Sequence, residues 1–472
     1  MTTNTAGRIR LSSAAGRWIL AGTVLGSGAV FLEGSVVSVA LPAIGRGFHL
    51  DIAGLQWTMN GYLLTLSALM LFGGALGDRT SRSRVFGFGL VGFAIGSALC
   101  AIAPTPLFLV IARVLQGAAG ALVVPNSLAI LETTFAGEDR GLAIGKWAAW
   151  SAVSTAGGPL LGGWLVDFAS WRWVFLSIVP VALASAWIVL EHSAPREAKV
   201  KSGSLDYAGA ALATLSLGAI IGALITAPVS GFTSPLVLGG FFGGAVFLAL
   251  FIVVEIRAPN PMLPLDAFRS REFIGANLNT LLVYGALNAL FFLLMLQLQV
   301  GLGWSALIAG ASLLPINFLL LMLSPSAGKV AERIGPRWPM TIGSFVAAAG
   351  MLLFARVGAG STYLRDLLPA VIVFGTGLGI LVSPLTAAAL RALGDRRGGL
   401  ASGVNNAVAR LAGLLATAVI PMAAGIGGAT RVNGPALASG FGRGMVISAV
   451  LCAAGGVAAL SLVGGKIRKK ER

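Results

Sequence analysis

One acidic side chain of this sequence stands deep inside an apolar stretch. Glu33 lies within the block 18–42, whereas the other acids lie in polar loops or near the ends of apolar blocks. Arg113 lies inside a second block, 107–131. Shielding from water favours the neutral form of a carboxyl group, and a nearby guanidinium favours the ionised form. We therefore predict that Glu33 and Arg113 form a proton-binding pair; a static ion pair that only fixes packing is the alternative.

Other reactive side chains are too few or too scattered to build a catalytic centre. The only histidines, His49 and His192, lie near the ends of apolar blocks, and the two cysteines, Cys100 and Cys452, lie inside such blocks. Metal sites and nucleophilic centres need several such groups close together. We expect no bound metal, no organic cofactor and no disulfide, and the sequence does not favour an enzyme.

The elements that carry these residues are membrane-spanning helices. The chain has 472 residues, of which 56% are hydrophobic and 11% charged, and its mean hydropathy is +0.89. Its apolar blocks are about 20 residues long, which matches the thickness of a bilayer's hydrocarbon core. We predict an all-α membrane protein with fourteen spans, near residues 18–42, 55–76, 85–103, 107–131, 142–165, 172–191, 205–226, 235–256, 272–300, 305–326, 338–357, 366–390, 400–425 and 442–464.

The distribution of basic residues gives the chain an orientation. The formal net charge of +16 arises from short clusters of Lys and Arg between the apolar blocks. The loops on the side of the N-terminus hold 25 of these residues, and the loops on the other side hold 6. The positive-inside rule therefore predicts that both termini are cytoplasmic. This pattern explains the charge without a nucleic-acid partner.

Two cytoplasmic loops share a pattern of glycine, acid and arginine. The loop after the second span reads GALGDRTSRSR from Gly74, and the loop after the tenth reads GKVAERIGPR from Gly328. Both loops follow the second helix of a group of six, which predicts an internal repeat. We expect one six-helix bundle at 1–192, two inserted helices at 193–271 and a second bundle at 272–472. The alternative is that these loops are only basic membrane anchors.

Several further motifs follow in a fixed order: FLEGSVVSVALP from Phe31, RVLQG from Arg113, GPLLGG from Gly158, WRWVF from Trp171 and SGVNNAVARLAG from Ser402. Together with the loop motif they resemble the major facilitator superfamily, specifically its fourteen-helix drug:proton antiporters, over nearly the whole chain. Three positions depart from the family pattern. Glu33 stands where Asp is usual, and Ser81 and Ser154 stand where Gly is usual.

The resemblance implies two six-helix bundles around a central cavity that opens alternately to each side of the membrane. It implies a proton-coupling role for Glu33 and Arg113. It also implies a pivot at the helix-5 motif, and a conformational latch in the two loop motifs. The pivot consists of Gly158, Pro159, Gly162 and Gly163, and the latch of Gly74, Asp78, Arg79, Arg82, Glu332, Arg333, Gly335 and Arg337. A general abundance of glycine and a plain surface turn are the respective alternatives.

Polar residues inside the spans are candidates for the wall of a substrate cavity: Trp57, Asn288, Gln297, Asn317, Asn406 and Arg410. Hydrogen bonding between helices explains the amides equally well, and Trp57 could equally anchor the membrane interface.

By resemblance, the expected function is proton-driven export of small amphipathic compounds, drugs included, by a monomer in the bacterial plasma membrane. Its partners would be the lipid bilayer, protons and a small-molecule substrate. A transporter of one specific metabolite remains an alternative. A membrane receptor or scaffold is disfavoured because the chain has no long soluble loops.

Overall fold

The computed structural model describes residues 3–4, 8–193, 205–258, 261, 263, 265–394, 398–426 and 435–464. The linker at 194–204 and the basic segment from residue 465 onward lie outside these described residues. Two short strands, β1 (Thr3–Asn4) and β2 (Arg8–Ile9), pair antiparallel near the N-terminus. Helices make up almost all the remaining described chain, as an all-α membrane protein requires.

The α-helices are α1 (Ala14–Phe48), α2 (Ile52–Arg79), α3 (Arg82–Ala101), α4 (Pro106–Thr134), α5 (Gly137–Phe168), α6 (Trp171–Leu176), α7 (Ile178–His192), α8 (Tyr207–Ser230), α9 (Pro235–Arg257), α10 (Arg271–Leu296), α11 (Ala306–Ala311), α12 (Leu314–Ile334), α13 (Arg337–Phe354), α14 (Leu368–Arg391), α15 (Gly398–Ala423) and α16 (Pro435–Leu462). A 3-10 turn covers Leu265–Arg269. π-Helical turns at Gln297–Gly301 and Tyr363–Leu367 adjoin α10 and α14.

Each of the fourteen predicted spans corresponds to one of these helices or to a broken pair. The sixth span is divided into α6 and α7, and the tenth into α11 and α12. Within the described residues, thirteen helical segments are long and apolar enough to cross a membrane. The fifth predicted span, α5, has 32 residues but is not among those thirteen. The chain is a multi-pass membrane protein.

Local sequence signals set several helix ends. Thr105 caps α4, because its hydroxyl accepts a hydrogen bond from the Phe108 amide, and Pro106 begins the helix. Ser81 caps α3 in the same way through the Arg84 amide. At its C-terminus, α12 stops at Gly335. The φ of Gly335 is 86°, a left-handed value that glycine adopts without a steric penalty.

The first helix is longer than predicted. Helix α1 ends at Phe48 rather than near residue 42, so Glu33 lies about 22 Å from the end of its helix. Arg113 lies about 10 Å from the start of α4 at Pro106. Pro42, Arg46 and the glycines on either side of Arg46 suggested an earlier end of α1, but the helix continues through them.

The described chain divides into two compact units. The first comprises Met1–Phe48, Trp57–Gly218 and Gly244–Met262, and the second comprises His49–Gln56, Ala219–Gly243 and Leu263–Arg472. The inserted helices α8 and α9 are shared between the two units rather than forming a third. The division at 192 and 271 therefore stays a prediction from the repeat, and the main boundary by contacts falls after Met262.

Within the first unit, α1 packs against α4, α5 and α7, and α3 packs against α4 and α7. Within the second, α10 packs against α15 and α16, and α14 packs against α12 and α13. By contrast, α9 exposes most of its large apolar side chains, such as Leu236 and Phe242. A helix surrounded by hydrocarbon is expected to have this pattern, because lipid solvates apolar side chains well.

Candidate functional site

Glu33 and Arg113 meet as a buried ion pair within the first unit. The Nη1 group of Arg113, on α4, donates a hydrogen bond to Oε1 of Glu33, on α1. The two side chains are 0% and 1% exposed, respectively. The predicted pairing of these residues is therefore present as direct contact, 80 residues apart in the chain.

Neighbouring helices hold the guanidinium of Arg113 on several sides. Its Nε donates to the Thr58 carbonyl of α2 at 3.0 Å, and its Nη1 also donates to Oε1 of Gln116 at 2.7 Å. The Nε2 of Gln116 donates in turn to the Ser97 hydroxyl of α3 at 2.8 Å. The Tyr62 ring of α2 lies against the guanidinium, 4.4 Å from Cζ to the ring centroid.

The two oxygens of the Glu33 carboxyl group differ. Oε1 accepts from Arg113, whereas Oε2 is buried and has no hydrogen-bond partner among the described residues. A buried carboxylate oxygen without a donor is costly, and protonating the group reduces that cost. The arrangement can therefore switch between an ion pair and a neutral acid beside a fixed cation.

The helix-5 motif packs directly against the part of α1 that carries Glu33. A Cβ at Gly158 would meet the Ser35 side chain and, at 3.2 Å, the Leu32 carbonyl, and one at Gly162 would meet the Val36 carbonyl at 3.0 Å. Gly158, Pro159, Gly162 and Gly163 are all buried. Glycines four residues apart share one helix face, so this face lets α5 approach α1 closely on both sides of Glu33.

The departure at Ser154 has a structural counterpart on α1. A Cβ at Gly28 would lie 2.7 Å from the Ser154 hydroxyl. The glycine that the family pattern places on α5 is replaced by a serine, and the space this serine needs is provided by a glycine on α1.

In the first loop motif, Asp78 at the end of α2 pairs with Arg82 at the start of α3. Asp78 Oδ1 accepts from Arg82 Nε at 3.0 Å and from Nη2 at 2.7 Å. Arg82 also donates to the Ala129 carbonyl at 3.2 Å, which ties this loop to α4. A Cβ added at Gly74 would lie 3.4 Å from Cβ of Pro125, which is on α4. Asp78 therefore has the local arginine partner that the latch hypothesis allowed.

The second copy of the motif lacks this ion pair. Glu332 and Arg333 are exposed, and neither has an ion-pair partner in the described part of the chain. Gly335 ends α12. The Cζ atom of Arg337 lies 5.9 Å from the centroid of the Trp338 ring. Each copy has one buried arginine nitrogen without a hydrogen-bond partner among the described residues. This atom is Nη1 of Arg79 in the first copy and Nε of Arg337 in the second.

The six residues predicted to line a substrate cavity lie on four helices, α2, α10, α12 and α15, and in the π-helical turn at Gln297–Gly301. Trp57, on α2 in the first unit, is half-buried. In the second unit, Asn288 of α10 packs against Gly413, three residues after the half-buried Arg410 on α15. Gln297 is buried in the π-helical turn beyond α10, Asn317 is half-buried on α12, and Asn406 is exposed and bonds within its own helix to Ser402.

Other amides in these helices join helices together, as the alternative explanation for them proposed. Asn405 of α15 donates to Thr280 of α10 at 2.8 Å. Asn279 of α10 donates to Ser344 of α13 at 3.0 Å and to the Gly455 carbonyl of α16 at 2.8 Å. These hydrogen bonds connect four helices of the second unit: α10, α13, α15 and α16.

Tyr62 and Ser97 were missed by the sequence analysis. The signal for Tyr62 is that the chain has only four tyrosines and this one lies inside an apolar span. Gln116 was visible in the RVLQG motif, but its role as a bridge between Arg113 and Ser97 depends on which face of α4 meets α3.

Comparison with known proteins agrees with this architecture. A family model described as the Major Facilitator Superfamily matches residues 23–206 and 189–417. The tetracenomycin C resistance and export protein of Streptomyces glaucescens is 34% identical over 83% of this chain and 72% of its own length. The puromycin resistance protein pur8 of Streptomyces alboniger is 33% identical over 83% of this chain and 78% of its own.

Among solved structures, a bacterial homologue of the human lysosomal transporter Spinster has the same fold. It superposes with a TM-score of 0.68 at 16% identity, over 95% of this chain and 97% of its own. The family match covers most of the chain, and the identity to the curated relatives extends over more than four-fifths of it. The chain belongs to the major facilitator superfamily and is a membrane transporter, not an enzyme.

Proposed function

We propose that this protein exports small amphipathic compounds in exchange for protons, and that Glu33 is the group that carries the proton. The observation that supports this most directly is the buried Glu33–Arg113 pair, in which one carboxylate oxygen has no hydrogen-bond partner among the described residues. Ionisable groups inside a membrane are costly and are typically kept for ion or proton pathways.

The proposed cycle follows from the charge on Glu33. When Glu33 is ionised, it attracts Arg113 and so draws α1 toward α4. When Glu33 takes up a proton, that attraction is lost, while Arg113 stays bonded to the Thr58 carbonyl and to Gln116. Proton binding thus alters the contact between α1 and α4, and α5 follows because its glycine face packs on both sides of Glu33. A proton can in this way favour one access state over the other.

The relatives suggest the substrate class. The relatives that are named for a compound include resistance proteins for tetracenomycin C, puromycin and methylenomycin A. We propose small amphipathic antibiotics as substrates of this chain, with protons as the coupling ion and no other cofactor. We further propose that the protein works as a monomer in the bacterial inner membrane, with both termini cytoplasmic and without a nucleic-acid partner.

The test is transport into everted membrane vesicles that contain the protein. Tetracenomycin C and puromycin should accumulate when a proton gradient is imposed, and a protonophore should abolish the accumulation. Vesicles without the protein are the control. Accumulation that persists after the gradient is collapsed, or that needs ATP under the same conditions, contradicts proton coupling.

A further inference from the structure

We infer that Tyr62 is a positioning residue for the Glu33–Arg113 pair: its ring holds the guanidinium against the carboxyl group and so sets how tightly Glu33 binds its proton. This inference rests on the proposed function of Glu33 as the proton carrier. It adds a third residue, from α2, that belongs to none of the motifs identified in the sequence.

Three contacts define the position of Tyr62. Its ring lies against Arg113, with 4.4 Å from Cζ to the ring centroid, which is cation–π geometry. Its hydroxyl donates to the Val30 carbonyl of α1 at 3.2 Å, one turn before Glu33. Its ring edge meets Phe93 of α3, with 6.4 Å between centroids. Tyr62 is therefore fixed to α1 and α3 while it touches the cation of α4.

The approach of α4 to α2 makes this contact specific. Gly117, four residues after Arg113, faces the Tyr62 backbone so closely that a Cβ there would overlap the Tyr62 carbonyl. Thr58, one turn before Tyr62, supplies the carbonyl that accepts from Arg113 Nε. Helix α2 thus holds the guanidinium with a carbonyl and a ring on consecutive turns, and α1 approaches it with the carboxyl group.

The ring matters because an arginine side chain has many rotamers. A guanidinium that is held in one place stabilises the ionised Glu33, whereas one that can swing away does not. Cation–π attraction is strongest where water is absent, and Tyr62 is only 1% exposed. Loss of the ring should therefore weaken the ion pair and make Glu33 hold its proton to higher pH.

Few other ionisable groups face Glu33. From α4 it meets Arg113, and beyond that cation lie the Cys100 thiol of α3 and the Tyr62 phenol of α2. On α5 the charged residues lie toward the two ends of the helix, from Glu138 to Lys146 and at Asp167, and on α6 and α7 they are Arg172, Glu191 and His192. Within the described residues, Arg113 is the charged side chain that forms an ion pair with Glu33.

The experiment follows protonation of Glu33 itself in the purified full-length protein, without substrate. Infrared difference spectra across a pH titration give the carboxylic acid carbonyl band, and Glu33→Gln identifies the part that belongs to Glu33. The titration midpoint is the pH at which the Glu33 band has half its full intensity. We expect Tyr62→Leu to raise this midpoint by about one pH unit. Tyr62→Phe keeps the ring and should stay close to the wild type. Arg113→Ala should shift the midpoint in the same direction as Tyr62→Leu and further.

Phe86→Leu is the matched control for packing. Phe86 is a fully buried aromatic residue of α3 that packs against α1 at Gly26. Its loss should cost stability without moving the Glu33 midpoint. If Tyr62→Leu is not recovered in folded form, Tyr62→Met fills similar space without a ring and carries the same expectation.

Two outcomes overturn the inference, and they differ from failure of the proposed function. If the Tyr62→Leu midpoint equals that of the wild type or falls, the ring does not strengthen the pair. If Tyr62→Phe shifts as far as Tyr62→Leu, the hydroxyl rather than the ring is responsible. If no band is lost in Glu33→Gln at any pH, Glu33 does not titrate, and the proposed function fails together with this inference.

Discussion

In the proposed mechanism, a change of one proton on Glu33 alters one helix contact. Its Oε1 is held by Arg113, and its Oε2 has no hydrogen-bond partner among the described residues. Breaking a buried ion pair by removing one partner's charge typically costs about 3–5 kcal/mol. A cost of that size is enough to reverse the balance between two conformations that differ by a few kcal/mol.

Asp78 offers a test of the latch at the level of one side chain. Asp78→Asn removes the charge that Arg82 binds but leaves one oxygen acceptor. We expect the transport rate to fall on the order of fivefold, which corresponds to about 1 kcal/mol for a partly exposed ion pair. Substrate affinity should change little. Initial rates and substrate binding in vesicles measure the two quantities separately.

Glu332→Gln is the matched control, because Glu332 occupies the equivalent position of the second loop but is exposed and has no ion-pair partner in the described ranges. Its rate should fall less than that of Asp78→Asn. An unchanged rate in Asp78→Asn at normal expression would show that the first motif is only a membrane anchor.

The sequence allowed Glu33 and Arg113 to be paired because charge inside an apolar block is rare and costly. It could not supply Tyr62, since an aromatic residue in a membrane span has many ordinary roles. Nor could the sequence distinguish Asn405 from Asn406. Asn405 forms a hydrogen bond from α15 to α10, whereas Asn406 is exposed. Adjacent residues differ by about 100° around a helix, so the distinction depends on how the helices are rotated.

The contact between α1 and α5 gives a prediction at the level of helices. Gly158→Ala should push α5 away from Leu32 and Ser35, the residues that flank Glu33. Overpacking of a tight contact costs about 1–3 kcal/mol, so we expect a lower melting temperature and at least a roughly tenfold slower transport. Thermal unfolding of the purified protein and vesicle transport measure these effects.

Gly157→Ala controls for the change from glycine to alanine itself. A Cβ at Gly157 meets nothing within 4 Å. Alanine is favoured over glycine in a helix by about 1 kcal/mol, so this variant should be at least as stable as the wild type and transport normally. Equal behaviour of the two variants would mean that the glycine face of α5 reflects composition and not a close contact.

Helix positions were largely predictable and helix ends were less so. Blocks of about 20 apolar residues are an unambiguous signal in hydrocarbon. The break between α6 and α7 near Ser177 and the extension of α1 to Phe48 depend on the backbone conformation of a few residues. Hydropathy alone does not report either of these.

The orientation of the whole chain is a separate prediction from the charge distribution. A reporter that is active only in the cytoplasm should be active when fused after Arg472. The same reporter inserted between α15 and α16 should be inactive. The 25 to 6 bias of basic residues between the two sides is the reason. The reverse pattern would contradict the proposed orientation, and activity at both positions would contradict the number of spans between them.

Helix α5 is the element on which the total of fourteen spans depends. It is long enough to cross the membrane, but it falls outside the thirteen segments that qualify by length and apolarity. Its small and polar residues, including Ser154 and the glycines packed on α1, lower its hydropathy. A span that buries one face against another helix does not need that face to be apolar, which explains why composition understates it.

Proton exchange by the whole protein tests the central claim most directly. Purified protein in weak buffer should release protons when it binds an antibiotic that the vesicle assay has shown to be transported. Glu33→Gln keeps the size of the side chain and its hydrogen bonding but cannot ionise. We predict that this variant folds, binds the compound and releases no proton, while Glu33→Asp keeps part of the release. If Glu33→Gln exchanges the compound for protons at the wild-type rate, Glu33 is a structural residue and another group carries the proton.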